Sequence, residues 1–366
     1  MFNQFINNQN IMKTYQLILA AALIALTGCN KNNVENNLNA ESNNEIGFNA
    51  VTRVATKANT DIVNTSTYPE DNSFGIWGFN SPEGDWSEFE ATTESNFMTG
   101  LKIEKTKGRD SSRELAWRNA TNYYYWPFTG AIAFIACHPF EVVPTVKFGG
   151  ATINDYTISD SNKTIDLMFA SGSGTRATNA STPVNLVFYH ALSQIYFTIK
   201  TDADYTLDNV EFKVKKITFK NIDLSGDVTY NKSTISWSDN NTQTANWEYY
   251  ATAVEATADG VDYGNAQVMI PQAANTLAAA VGEPEEEGYI PADEVQTILS
   301  IDYYMKQNTT ETEGNVEIAA PQAWAVNGKY NYVLNFKLNE ILFNPTVNDW
   351  AELTVVSKLV DATTIL

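Results

Sequence analysis

The chain has 366 residues, of which 43 are acidic and 23 are Lys or Arg, giving a formal net charge of −20. This excess of negative charge excludes nucleic acid as a partner and disfavours broad electrostatic binding to an anionic membrane surface. Hydrophobic residues make up 43% of the chain and aromatic residues 12%, which suffices for sizeable cores and is typical of β-sheet interiors. The length favours two domains.

Residues 12–29 have the features of an export signal. Lys13 supplies positive charge, and an apolar stretch of about a dozen residues follows it, too short to span a bilayer as a helix. The stretch ends in Leu26-Thr27-Gly28-Cys29, which has the form of a bacterial lipobox. This pattern predicts a lipoprotein in which the thiol of Cys29 is acylated and Cys29 becomes the N-terminus. The alternative is an ordinary cleaved signal peptide with a chance cysteine.

The segments on either side of Cys29 complete this interpretation. We expect translation to start at Met12, so that residues 1–28 comprise upstream residues and the signal peptide. Residues 29–44 are rich in Asn and have no apolar period, which is typical of a flexible tether. Several acyl chains, palmitate among them, are enough for stable anchoring to the outer membrane.

Beyond the tether, most segments have strand character. In residues 45–54 the even positions share one face, namely Ile46, Phe48, Ala50, Thr52 and Val54. Residues 74–79 and 123–127 are rich in aromatic residues, and residues 165–169 alternate. Residues 131–137 are apolar on both faces and are expected to form a central strand.

Residues 171–182 are small, polar and aperiodic, so we interpret them as a linker and place the domain boundary there. Many short strands separated by turn residues are typical of β-sandwiches. The predicted fold is therefore all-β, with an N-terminal sandwich over residues 45–180 and a C-terminal sandwich over residues 181–366.

Two changes of parity predict β-bulges in the second half. The apolar set of residues 184–199 moves from even to odd positions, which predicts a bulge within residues 191–194, and a similar change occurs near Lys215. Residues 330–338 form a one-sided strand pattern. Helical patterns are sparse, since the Ala-rich residues 275–281 run into an acidic loop.

Residues suited to catalysis or metal binding are few. His138 and His190 are the only histidines, and neither lies in an H-x-x-x-H or C-x-x-C pattern. We expect His190, on the strand face of Phe188 and Leu192, to be a satisfied, partly buried residue, and we expect Cys137 to be a buried, unreactive thiol. The sequence thus predicts no catalytic residue, no cofactor and no metal site, and the protein is interpreted as not an enzyme.

Two other groups have a binding interpretation beside a structural one. Glu283, Glu285, Glu286 and Glu287 could hold calcium, but a solvated acidic loop is favoured. Trp77, Trp86 and Trp117 could stack on sugar rings, although such residues more often fill cores.

Several short motifs together resemble the fimbrillin family, the lipoprotein pilins, sometimes called type V, of Gram-negative gut and oral anaerobes. The motifs are, in chain order, residues 46–50 with 55–58, 74–78, 125–127, 183–197, 270–272 and 343–350. Each motif alone is weak, but six in the right order are fairly specific. The resemblance extends from the lipobox to the C-terminus.

This resemblance implies two tandem transthyretin-like β-sandwiches and a maturation route. The route is export as a lipoprotein, cleavage by a trypsin-like protease after a basic residue that follows the first strand, and filling of the vacated groove by a strand from another subunit. Arg53 and Lys57 are the candidate cleavage sites here, or they are ordinary solvated charges. Residues 353–366 alternate in polarity and form either the donor strand or a strand of their own domain.

The resulting expectation is a fimbrial subunit or adhesin precursor, lipid-anchored at the outer membrane and displayed at the cell surface or in a fimbria. Its expected partners are other pilin subunits, bound by strand addition, the membrane, through the N-terminal lipid, and a host or bacterial surface ligand. The alternative is an outer-membrane glycan-binding lipoprotein, and a secreted hydrolase is a third interpretation with little support.

Overall fold

The computed structural model describes residues 44–54, 64–68, 72–107, 116–205, 209–232, 234–238, 245–250, 252–272, 297–319, 323–337, 340–349 and 352–355. These residues form 23 strands and one short helix, which confirms the all-β prediction. Within these ranges, no helix has the length and apolar character that crossing a bilayer requires.

The elements are, in chain order, β1 (Phe48–Val54), β2 (Asn64–Thr67), β3 (Phe74–Ser81), β4 (Met98–Thr106), β5 (Ala116–Arg118), β6 (Ala131–His138), β7 (Thr145–Lys147), β8 (Gly150–Thr157), β9 (Met168–Gly174), α1 (Arg176–Asn179), β10 (Val184–His190), β11 (Ser193–Thr201), β12 (Val210–Ile222), β13 (Ser225–Asn231), β14 (Thr234–Ser238), β15 (Ala245–Tyr250), β16 (Val254–Glu255), β17 (Val261–Asp262), β18 (Gln267–Met269), β19 (Ile298–Gln307), β20 (Thr310–Ala319), β21 (Gly328–Lys337), β22 (Glu340–Asp349) and β23 (Glu352–Val355).

The first sheet closes on itself. Its strands lie in the order β10-β9-β6-β3-β4-β5-β1-β2, and β10 pairs with β1 as well. The side chains on the inner face form the first core, which includes Phe48, Phe74, Trp117, Phe134 and Phe188. As predicted, β6 is central, because it lies between β3 and β9 and is apolar on both faces.

The other sheets surround a second core. One has the order β14-β13-β8-β7, one the order β15-β12-β19-β20 with β16 on β12, and one the order β17-β11-β21-β22-β23 with β18 on β11. The second core also takes in the outer face of the first sheet, through Trp77, Phe79, Ile135 and Cys137. Because β8 pairs with β13 and β1 with β10, strands from both sides of residue 180 share sheets. The division into domains at residues 45–180 and 181–366 stays a prediction.

Two pattern-based predictions are confirmed in the second half. A register shift lies between Val214 and Lys216, which places the expected bulge at Lys215 of β12. In β21, Tyr330, Tyr332, Leu334 and Phe336 are all buried, as their alternation predicted. Leu338 and the Ala-rich and acidic residues 275–288 lie outside the described residues.

The linker interpretation of residues 171–182 is wrong for its first part. Residues 171–174 belong to β9 and pair with residues 132–135 of β6, and α1 follows them. A Cβ atom at Gly174 would lie 2.6 Å from the Trp126 ring and 2.5 Å from the Asn179 side chain. The glycine is therefore required by close packing inside a sheet, a role that composition alone confuses with a loop.

The bulge predicted within residues 191–194 is also wrong. β10 ends at His190 and β11 begins at Ser193, so the chain leaves the first sheet and enters another one. Ala191 and Leu192 are both fully buried at this crossover. A change of parity arises equally when a strand bulges and when it changes sheets, and here the second case holds.

Two further strand assignments need correction. Residues 123–127 form no strand, and their β-like contact is an isolated bridge between Tyr125 and Glu45. In residues 165–169 the strand begins only at Met168, and Ile165 is exposed.

Candidate functional site

The predicted removable strand, β1, is enclosed on both edges. One edge runs parallel to β10, with pairs from Phe48 with Val184 to Thr52 with Phe188. The other edge is shared between β5, through the pair of Phe48 with Trp117, and β2, through residues 51–54. Removing β1 would therefore open a groove with backbone groups unpaired on both walls.

The inward side chains of this segment fill the first core. Ile46, Phe48, Ala50 and Thr52 are all buried, which confirms the predicted face as far as Thr52. The Phe48 ring packs edge-on against Phe134, at a centroid distance of 5.1 Å. Because a buried large apolar side chain contributes about 1.5–3 kcal/mol, a vacated groove would need another apolar strand to fill it.

Residues 44–47 extend β1 and are held by backbone hydrogen bonds. The amide of Ile46 donates to the carbonyl of Tyr124 at 2.7 Å, and the amide of Trp126 donates to the carbonyl of Asn44 at 2.7 Å. The amide of Val184 donates to the carbonyl of Gly47 at 2.9 Å. The groove thus continues past the N-terminal end of β1 as far as Asn44, the first described residue.

A buried ion pair lies at this end of the groove, just before β1. Arg118 Nη1 is 3.4 Å from Glu45 Oε1, and the two residues are 8% and 6% exposed. Glu45 precedes the apolar run of β1, and Arg118 ends β5, the strand that borders it. Composition could not reveal this pair, because the two residues are distant in sequence and nothing in the pattern links them.

The predicted processing and lipidation residues are only partly described. Arg53 lies in β1 and pairs with Thr65 of β2. Lys57 and Cys29 lie outside the described residues, so cleavage and acylation stay predictions. The backbone of residues 352–355 forms β23, which pairs with β22 of the same chain, and residues 356–366 lie outside the described part.

The two histidines have structural partners. His138 Nδ1 lies 2.6 Å from the Tyr68 hydroxyl and 3.0 Å from the carbonyl of Ser73. Burial lowers the pKa of His138, so the neutral ring is favoured. His190 is paired with Asp166. Among the described residues, no group of three His, Cys, Asp or Glu side chains is placed to hold a metal ion.

The remaining candidates fall in cores or outside the described residues. Cys137 is fully buried, and burial raises the pKa of its thiol, as expected for an unreactive cysteine. Trp77 and Trp117 are buried, which removes them as sugar platforms, and Trp86 stacks on Phe148. The glutamates 283 and 285–287 lie outside the described residues.

Among the described residues, the exposed large aromatic side chains lie in the loop before β6. Phe128 is 84% exposed, and the Arg176 guanidinium lies 4.8 Å from the centre of its ring. Tyr123 and Tyr125 in the same loop are also exposed. The Tyr-Trp-Pro pattern had suggested a strand, and nothing in it distinguishes the buried Trp126 from its exposed neighbours.

Comparison with known proteins adds three findings. A family model described as fimbrillin-like matches residues 52–350 of the chain. The fimbrium subunit Fim1C of Phocaeicola vulgatus is 25% identical over 378 aligned positions, covering 90% of this chain and 94% of that protein. A crystal structure of a fimbrial protein from Bacteroides vulgatus has a similar fold, with a TM-score of 0.53 at 17% identity, over 84% of this chain and 99% of that one.

Proposed function

The chain belongs to the fimbrillin-like family, and we propose that it is a lipoprotein fimbrial subunit that polymerises by strand exchange once β1 has been cut loose. The position of β1 is the observation that supports this most directly. Its inward side chains complete the first core, yet it is the first described strand and ends just past a basic residue, Arg53. A single cut there would separate an entire core-filling strand from the rest of the subunit.

The proposed route starts with export and acylation at Cys29, which tethers the precursor to the outer membrane through residues 29–44. A trypsin-like protease then cuts after Arg53 or Lys57. The cut makes β1 and the lipid anchor leave together, because both lie on the N-terminal side of either site. Release from the membrane and opening of the groove are therefore one event.

The open groove is unstable without an occupant, because it exposes apolar side chains and unpaired backbone groups at once. A strand donated by another subunit satisfies both. The C-terminal residues 352–366 are the proposed donor. Residues 352–355 of this segment pair with β22 of their own chain, so this pairing has to break before the segment is donated.

Recovery of the protein from assembled fibres, followed by N-terminal sequencing, tests this function. We expect a terminus at Val54 or Ala58. The double variant Arg53→Ala/Lys57→Ala should accumulate as the Cys29 form and should not enter fibres. Lys107→Ala, at an exposed lysine after β4, is the matched control and should assemble normally. Fibres built only from the Cys29 form would contradict the proposal.

A further inference from the structure

We propose that Arg118 selects the donor strand by requiring a carboxylate at the position of Glu45, and that Glu352 of a second copy supplies it. This inference rests on the proposed function, since it concerns the strand that replaces β1. It adds a charge requirement to the apolar contacts that the first core offers to the groove.

Arg118 is a charge that cannot easily re-enter water. It is 8% exposed, and within the described residues its Nε and Nη1 atoms have no hydrogen-bond partner. Its ion pair with Glu45, at 3.4 Å, is thus the main compensation for its burial. A buried ion whose partner is removed is strongly destabilising.

Removal of β1 takes Glu45 away and leaves Arg118 in place, because Glu45 lies before either candidate cleavage site. The cross-strand neighbour of Arg118 on β4 is Glu104. Its carboxylate already binds Lys102 at 2.8 Å and is partly exposed, so it is a poor substitute. An incoming strand without an acid at this register would therefore cover an uncompensated guanidinium, which is a means of rejecting the wrong partner.

The C-terminal segment repeats the spacing of the strand it would replace. Glu45 is followed by Ile46, Phe48 and the small Ala50 on the buried face, at one, three and five residues. Glu352 is followed at the same intervals by Leu353, Val355 and the small Ser357. Aligning the two segments on their glutamates places Leu353, Val355 and Ser357 on the buried positions 46, 48 and 50, while Val356 falls on the exposed position 49.

The alignment also matches Thr354 of the tail to Gly47, the residue just before β1. A Cβ atom at Gly47 would lie 3.5 Å from Arg118 Nη2 and 3.8 Å from the Ala116 Cβ, which are ordinary contacts. Position 47 therefore accepts a side chain, and threonine there creates no clash with the groove.

The test follows polymer ladders, resistant to mild detergent, after limited trypsin treatment of the full chain. We expect Glu352→Gln to slow ladder formation at least tenfold. The matched control Glu340→Gln makes the same chemical change at the start of β22 and should leave the rate within twofold of the original. Equal rates for the two variants would overturn the inference while leaving strand exchange intact.

A second variant assigns the effect to Arg118. Glu45→Gln/Arg118→Met removes both charges of the pair together, and Glu45 is lost on cleavage in any case. Grooves of this variant should accept the original donor and the Glu352→Gln donor at equal rates. Continued preference for the original donor would overturn the role of Arg118. Failure of the original chain to form ladders would overturn the proposed function, and this inference with it.

Discussion

Two parallel pairings join distant parts of this chain, and they differ in how firmly the joining strand is held. β1 runs beside β10 over residues 48–52, and its other edge is divided between β2 and one pair with β5. β21 runs beside β11 over residues 329–336, and β22 covers its other edge along its full length, from Gly328 to Lys337.

The difference supports β1, and not β21, as the strand that leaves in the proposed mechanism. Both strands bury alternating side chains, so both are needed to complete a core. However, β1 has fewer ladder pairings and is the first described strand, whereas β21 is paired along the full length of one edge and over residues 329–336 of the other. In the proposed mechanism, backbone pairing and chain position decide which strand can leave, and the apolar face decides how much a replacement strand gains.

The largest expected effect is a loss of stability that depends on which strand is mutated and on whether the subunit has been cleaved. Phe48→Ala and Phe336→Ala should each lower the free energy of unfolding of the uncleaved chain by about 3–5 kcal/mol, because each removes a fully buried ring. In the mature subunit only Phe336→Ala should remain destabilising, since Phe48 has left with β1. Guanidinium denaturation of both forms measures this, and an equal loss from Phe48→Ala in the mature form would mean that β1 stays.

A smaller effect concerns acid. Burial holds the pKa of His138 below its ordinary value of 6.5. As the pH falls below about 6.5, this side chain is therefore protonated more readily in the unfolded chain than in the folded one. The stability conferred by the neutral ring is present above that pH and is lost as the pH falls, by at most about 1.4 kcal/mol per pH unit.

His138 lies in the first sheet, at the end of β6. Hydrogen exchange at pH 7.5 and 5.5, corrected for intrinsic rates, should therefore show lost protection around β6 while β21 changes little. His138→Gln should reduce this difference between the two regions. An unchanged pH response in that variant would show that other groups control it.

The smallest effect tests whether polar contacts across the two pairings differ. The Asn49 side-chain amide donates to the Asn185 oxygen at 2.9 Å across β1 and β10. The Thr198 hydroxyl donates to the Asn331 oxygen at 3.2 Å across β11 and β21. Double-mutant cycles to alanine should give a coupling of about 0.5–1 kcal/mol at each place. A coupling above about 2 kcal/mol at β1 alone would mean that this strand is held more firmly than its pairing suggests.

Periodicity was sufficient for the parts of the fold in which one face meets one core. The even positions of residues 46–52 and of residues 330–336 are buried as their alternation predicts, and the bulge at Lys215 follows from a real register shift. The crossover at Ala191 and Leu192 gave the same parity change without a bulge. The alternation of apolar and polar residues indicates which face of a strand is buried, but it does not indicate which sheet the strand belongs to.

The candidate site was only half predictable. The first strand and its apolar face follow from the pattern of residues 45–54, and its removal is what the family resemblance implies. The Glu45–Arg118 ion pair depends instead on the closing of the first sheet. The sheet brings β5 beside β1 although β2, β3 and β4 lie between them along the chain. Charge pairs between distant segments have no periodic signature, so three-dimensional structure was needed to find them.

A disulfide lock on β1 tests the central claim most directly. Asn49 and Asn185 are exposed partners on neighbouring parallel strands, at a spacing of about 4.7–4.9 Å that suits a disulfide, and Cys137 is buried and cannot compete. With Asn49→Cys/Asn185→Cys oxidised, cleaved subunits should form no ladders, and reduction should restore them. The control lock Thr198→Cys/Val333→Cys, which ties β11 to β21, should leave assembly unchanged. Ladders of normal length with β1 still locked would contradict the account.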